Sequence, residues 1–264
     1  MTSILAQTHP QLSMGEAAAM GLLLGSQEIN KIGYNPSIDG ATQEDIWNPG
    51  GTYVPLTAEQ GLDVVSDDNT NDKAAGTGAL TVKITYLTSA FVSKSEVVTM
   101  NGTALVHTTA TDIMYVNTFR VLTAGTGGAA AGTITLKRLA GAGAAVQSQL
   151  APGQTRGRKM YYTVPKGKML MIDQLDIGSS GPTAAAKDFL KFTFRANFDE
   201  NTGAASTLEF PFIEMSTTAG GRSIVFPTPL VFPEGVTTRV VVIGNATTAT
   251  CPAYCMWRGH LMDM

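Results

Sequence analysis

The sequence predicts an all-β protein: two antiparallel β-sandwich, jelly-roll-like domains preceded by an N-terminal helix and an extended arm. Three observations carry this. Runs of alternating apolar and polar residues recur about every 10 residues, the spacing of an antiparallel sandwich. Gly-rich turns separate them, as in residues 119–136 (FRVLTAGTGGAAAGTITL). The clearest strand, residues 189–198 (FLKFTFRANF), places Leu190, Phe192, Phe194 and Phe198 on one face with a period of two.

The elements follow in order. Ser13 with Glu16 three residues on has capping-box spacing and opens a predicted helix over 14–24, which stops at Gly25. That helix is apolar all round, so it must lie against its own sheets or in a groove on a neighbour. Residues 28–49 read as an irregular, extended arm with turn signals at Asn35-Pro36, Asp39-Gly40 and Asn48-Pro49. Ile29, Ile32, Tyr34, Ile38, Ile46 and Trp47 are apolar anchors along it. Anchors without a period pack by entering pockets, either of the same subunit or of another. Ile29, Ile32, Tyr34, Ile46 and Trp47 are the partner-docking residues this expectation names. The domain boundaries are 1–50 for helix and arm, 51–156 for the first sandwich and 157–264 for the second.

In the first block the expected strands are 52–56, 62–66, 79–86, 97–100, 103–108, 112–122 and 133–139. Asn101-Gly102 between two of them is a type I′ hairpin signal, since both residues tolerate positive φ. Residues 141–154 are either a linker or a strand pair with a loose turn. In the second block the strands are 161–164, 169–177, 189–198, 208–215, 223–226, 230–232, 239–244 and 254–261. Pro227, Pro229 and Pro233, following Phe226, mark an edge strand or a crossing loop, because proline donates no ladder hydrogen bond.

Composition narrows the function. Charged residues are 15% of the chain against about 25% in soluble domains. The net charge is −3 and the basic residues are scattered, so no single-sign field attracts nucleic acid. Residues 17–24 are apolar, but Glu16 precedes them without a basic region, unlike a secretory signal. They are also too few to span a bilayer. A soluble protein made in a cytoplasm is expected.

Gly76-Thr77-Gly78 and Gly125–Gly128 lack the Lys and the following helix of a phosphate loop, and read as turns or bulges. Glu209 and Glu214 flank a Phe-Pro-Phe-Ile segment, but a glycosidase needs its two acids facing across a cleft. Asp67, Asp68 and Asp72 lie on a polar loop that reads as solvated, with weak Ca²⁺ binding as the lesser reading. His107 reads as a strand histidine without a nucleophile. Cys251 and Cys255 read as two thiols on a C-terminal strand; a local disulfide is the other reading, and a zinc site with His260 is short of ligands. Trp47, Tyr53, Tyr161, Tyr162, Tyr254 and Trp257 either pack in cores and interfaces or line a sugar-binding surface. No catalytic residue, cofactor or metal is expected.

Several segments together resemble a known group. They are 28–36 (EINKIGYNP), 45–54 (DIWNPGGTYV), 74–82 (AAGTGALTV), 98–106 (VTMNGTALV), 117–128 (NTFRVLTAGTGG), 132–135 (GTIT) and 162–165 (YTVP). Over roughly residues 28–168 the chain resembles virion structural proteins of tailed bacteriophages. The resemblance implies a non-enzymatic particle component in the virion, made in the bacterial host cytoplasm. Within that reading copies are expected to associate as a trimer or higher ring, with the arm docking on neighbouring virion proteins and with no nucleic acid, membrane or small-molecule partner. The length of the arm favours tail or tail-fibre attachment. Capsid decoration and a receptor- or carbohydrate-binding adhesin are the alternatives.

Overall fold

The computed structural model describes residues 25–38, 42–139, 145–179, 189–198, 207–210, 213–216, 220–244 and 251–264. The helix expected over 14–24 lies outside the described residues. Among those described, every regular element is a β-strand and every strand pair is antiparallel. In chain order the first nine are β1 (Ser26–Ile38), β2 (Glu44–Asp45), β3 (Leu62–Ser66), β4 (Ala79–Leu87), β5 (Ser93–Thr99), β6 (Val106–His107), β7 (Tyr115–Ala124), β8 (Ile134–Arg138) and β9 (Val146–Leu150). The rest are β10 (Tyr161–Thr163), β11 (Lys168–Ser179), β12 (Phe189–Asn197), β13 (Thr207–Glu209), β14 (Ile213–Ser216), β15 (Gly220–Phe232), β16 (Thr237–Gly244) and β17 (Cys251–Asp263).

Strands β3 to β9 form two sheets, ordered β6-β3-β8-β9 and β5-β4-β7. Both contribute to one apolar cluster that includes Leu62, Val64, Val82, Ile84, Phe119, Ile134 and Leu136. Residues 52–56 do not form the expected strand. Pro55 has no N–H to donate, and the Val54 and Pro55 carbonyls accept from the Arg138 and Gln147 side chains instead. The expected hairpin at Asn101-Gly102 is also absent. β5 pairs with β4 and β6 with β3, so the turn carries the chain from one sheet to the other. Gly102 has φ +60°, and among the described residues Phe91 alone is a non-glycine with positive φ, so Asn101 is not in a type I′ turn. Within 141–154 the described residues hold one strand, β9, which pairs with β8 before it, so the segment is neither a linker nor a strand pair of its own.

The remaining strands form a second pair of sheets. One is ordered β1-β17-β11-β15; the other is β10-β16-β12-β13, with β14 also on β12 and β2 on β16. The pairing is nested: β1 with β17, β2 and β10 with β16, β11 with β15, and β12 with β14. Apolar side chains from both sheets meet in one core, including Leu170, Ile172, Phe192, Phe194, Phe232, Val242 and Trp257.

Two expectations are corrected here. Residues 26–38 are no irregular arm but a strand of 13 residues, paired along its length with β17. Pro36 sits where the register shifts between Asn35 and Ile38. The division at residue 50 is corrected with it, since β1 and β2 belong to the same two sheets as β10 to β17. The chain leaves this body after β2, builds β3 to β9, and returns at β10 onto the same neighbour, β16. At the crossing Trp47, Tyr53 and Tyr161 form a small aromatic cluster, with ring centroids 5.3 Å apart (Trp47–Tyr53) and 4.5 Å apart (Tyr53–Tyr161).

Candidate docking surfaces and the junction cleft

The docking residues read from the sequence scatter over different environments. Ile46 and Trp47 are buried in this chain's own cores, so the pockets they enter belong to the same subunit. The Trp47 indole N–H donates to the Gly51 carbonyl at 3.0 Å. Ile29 packs half-buried against the core beneath β1. Tyr34 is half-buried with the Arg158 guanidinium 5.8 Å from its ring centre. Ile32 is the one of the five that is exposed.

Residues paired directly across an antiparallel ladder point to the same side. Ile32 pairs with Met256, Tyr34 with Tyr254, Met171 with His260 and Val231 with Met171, so these share the outer face of the β1-β17-β11-β15 sheet. Ionic groups interrupt this apolar surface. Asp173 accepts from His260 Nε2 at 3.1 Å, and burial raises the Asp173 carboxyl while the histidine lowers it. At the margin lies β15, which among the described residues pairs with β11 alone. Val225 is 67% exposed and Val231 48%. Pro227 and Pro229 fall within β15 where its register against β11 shifts, so the proline-studded segment is an edge strand, one of the two readings made of it.

Asp72 is fully buried and its carboxylate accepts four hydrogen bonds: from the Ala79 and Ala131 amides on Oδ1, and from the Gly132 amide and Ser66 hydroxyl on Oδ2. Asp68 caps a local turn through the Thr70 and Asn71 amides, and Asp67 accepts from the Thr133 amide, 66 positions along the chain, at 2.7 Å. Among the described residues no group of three or more His, Cys, Asp or Glu is placed to hold a metal. His107 Nδ1 pairs with Asp63. Glu209 forms an ion pair with Arg195 at 2.6 Å, while Glu214 stands opposite Lys191 on β14. Cys251 and Cys255 are free, buried thiols on the inner face of β17, and burial pushes the Cys255 thiol well up. Trp257 is fully buried, which removes it as a sugar-stacking residue.

A site the sequence reading missed lies where the two sheet pairs meet. β1 places Ile29, Lys31, Gly33 and Asn35 on its inward side. Lys31 is 9% exposed, and its ammonium donates to the Asn117 backbone carbonyl on β7. Asn117 in turn clips β7 to β10: its amide donates to the Thr163 carbonyl at 2.8 Å and accepts from the Thr163 N–H at 2.9 Å. The ammonium also stands 5.9 Å from the Tyr162 ring centre. Two adjoining lobes of a cleft, each ≈ 300 Å³, open here and share Gln27, Ile29, Asn117, Thr118, Arg156 and Tyr162. Lys31 lines one lobe and Arg120 the other. Burial, then Lys159, then Arg156 hold Lys31 well below the ordinary lysine range. Lys159, on the far side, is buried with its ammonium 4.2 Å from the Tyr53 ring centre and donating to the Gln147 carbonyl at 3.0 Å. The signal that marks this site in the sequence is a lysine, a glycine and an asparagine at alternate positions of one strand, which is why it went unread.

No family model matches the chain, and no curated protein matches it. Among solved structures, infectious bursal disease virus, Gt strain, aligns over 92% of this chain and 82% of that chain, at 11% identity and a TM-score of 0.14. The VP2 subviral particle of the same virus aligns over 92% and 81%, at 10% identity and a TM-score of 0.11. Similarity at this level carries no argument about fold or function.

Proposed function

We propose that this chain is a non-catalytic building block of a virus particle, of the tailed-bacteriophage kind its sequence resembles, and that it assembles with copies of itself. The observation that carries the reading is the nested pairing of β1, β2 and β10 to β17. First pairs with last, second with second-last, and so inward, which is one long hairpin rolled into two facing sheets: a jelly roll, an architecture used by viral capsid proteins and lectins. In this reading β3 to β9 are a second sandwich inserted into the roll at its second strand position. The tail preference rested on a free arm. With residues 26–38 built into a sheet that basis is gone, and the proposal extends to the virion without a place on head or tail.

The association surface is the β15 edge with the adjoining outer face, and its occupant is a second copy. An edge strand exposes unpaired N–H and C=O groups, and apolar burial supplies about 25 cal/mol per Å². Mass photometry on the purified chain tests this. The wild type is expected as an oligomer, and Val225→Asp with Val231→Asp is expected to shift it toward monomer without loss of β-sheet signal. A wild type that stays monomeric at high concentration, and is missing by mass spectrometry from purified particles whose genome encodes it, would overturn the proposal.

A further inference from the structure

We propose that the junction cleft is an oxyanion site, which takes a phosphate or carboxylate group between Lys31, Arg156 and Arg120. Two observations support it besides the shape of the cleft. Arg120 and Arg156 face each other across an isolated antiparallel bridge, and like charges directly opposite on paired strands repel. Lys31 is buried beside them, with Lys159 behind it adding repulsion. Among the described residues no carboxylate forms an ion pair with Lys31, Arg120 or Arg156. Glu28 lines one lobe, but its carboxylate accepts from the Asn30 amide at 3.3 Å.

A chain with 18 basic residues against 21 acidic ones has carboxylates to spare for neutralising this cluster, yet the cleft gathers three cations. Of the three, Lys31 is buried, and a buried charge is normally paired; the two arginines stand exposed at the mouth of the cleft. An anion would supply the missing partner, and planar guanidinium groups bind oxyanions with two parallel hydrogen bonds. Asn117 and Thr118 add polar side chains to the wall. The same chemistry is offered by a free phosphate or by a carboxylate. This inference concerns the join between the two sheet pairs and is independent of the association surface.

Thermal unfolding of the full chain is measured in inorganic phosphate, in acetate and in chloride at one ionic strength. Phosphate or acetate is expected to raise the midpoint above chloride, by about 3 °C when the anion stands tenfold above its dissociation constant. The larger response identifies the oxyanion preferred. Arg120→Gln with Arg156→Gln, both at exposed positions, is expected to abolish the difference, and Lys31→Met to reduce it. Equal midpoints in all three salts would overturn the proposal. So would a phosphate or acetate response that survives in the double-arginine variant.

Discussion

Removing the Asp72 carboxylate should unfold the β3-to-β9 unit more readily than any other single change in its loops. The four hydrogen bonds it accepts join three chain segments: Ser66 at the end of β3, Ala79 at the start of β4, and Ala131 and Gly132 before β8. Its own carbonyl accepts from the Gly102 amide at 2.7 Å, adding the turn that crosses between sheets. Gly78 must stay glycine because a Cβ there would stand 2.3 Å from Asp72 Oδ1. In Asp72→Ala three amides and a hydroxyl lose their acceptor inside the fold. At about 1–3 kcal/mol for each buried donor left unmade, less the relief of no longer burying a charge, the net loss is about 4 kcal/mol. Asp72→Asn keeps the shape and one oxygen but turns an NH₂ toward two donors, so about half that loss is expected. Urea unfolding followed by far-UV circular dichroism gives both values. The two tryptophans lie in the other core and at the crossing, so their fluorescence should move later than the dichroism in Asp72→Ala. An alanine variant within about 0.5 kcal/mol of wild type, the usual size of a surface change, would refute the reasoning. A transition that moves with added Ca²⁺ would refute the account of Asp72 as a fully satisfied carboxylate.

Three further outcomes follow from the fold. Deleting residues 1–38 strips β1 from β17 and exposes the Trp257 side of the core, so the truncated chain should be insoluble or lose its cooperative transition; a soluble, cooperatively folded product would show that β1 is dispensable. Cys251 and Cys255 should resist a thiol reagent in the native state and both react once the protein is unfolded, since each is buried and burial disfavours the Cys255 thiolate; rapid native labelling would contradict their placement. Stability should rise as the pH climbs toward 10.5 through Lys31. Its folded-state value is depressed, so in that window the unfolded chain binds the extra proton and stability grows as the proton is lost. Lys31→Met should flatten this rise in thermal midpoints, and an unchanged slope would show that Lys31 is not its source.

Much of the β3-to-β9 unit was legible because its strands obey their own local rules. Residues 62–66 match β3, and residues 79–86 fall within β4, where inward Val82, Ile84 and Tyr86 alternate with half-buried polar groups. In β12 Leu190, Phe192 and Phe194 point into the core as their period required, although Phe198 lies beyond the strand end and is exposed. β1 was not legible. Its inward positions are held by Lys31, Gly33 and Asn35, chosen to meet Asn117, Met160 and Glu44 across space, and no apolar alternation survives that choice. Asn101-Gly102 misled for the opposite reason: the local hairpin preference is real, but pairing of β5 with β4 and β6 with β3 buries more and overrides it.

The amino-acid sequence by itself determined that this chain is built of β-strands, where most of them lie, and that charge is too sparse for a broad electrostatic surface, because these are properties of neighbours along the chain. Which strands share a sheet, that the first strand closes against the last, and that Lys31, Arg120 and Arg156 line one cleft were decided by the tertiary structure alone. Partners as far apart as Ser26 and Met262 are brought together by burial of apolar faces and by completion of backbone pairing, and neither quantity has a value until the whole chain is folded.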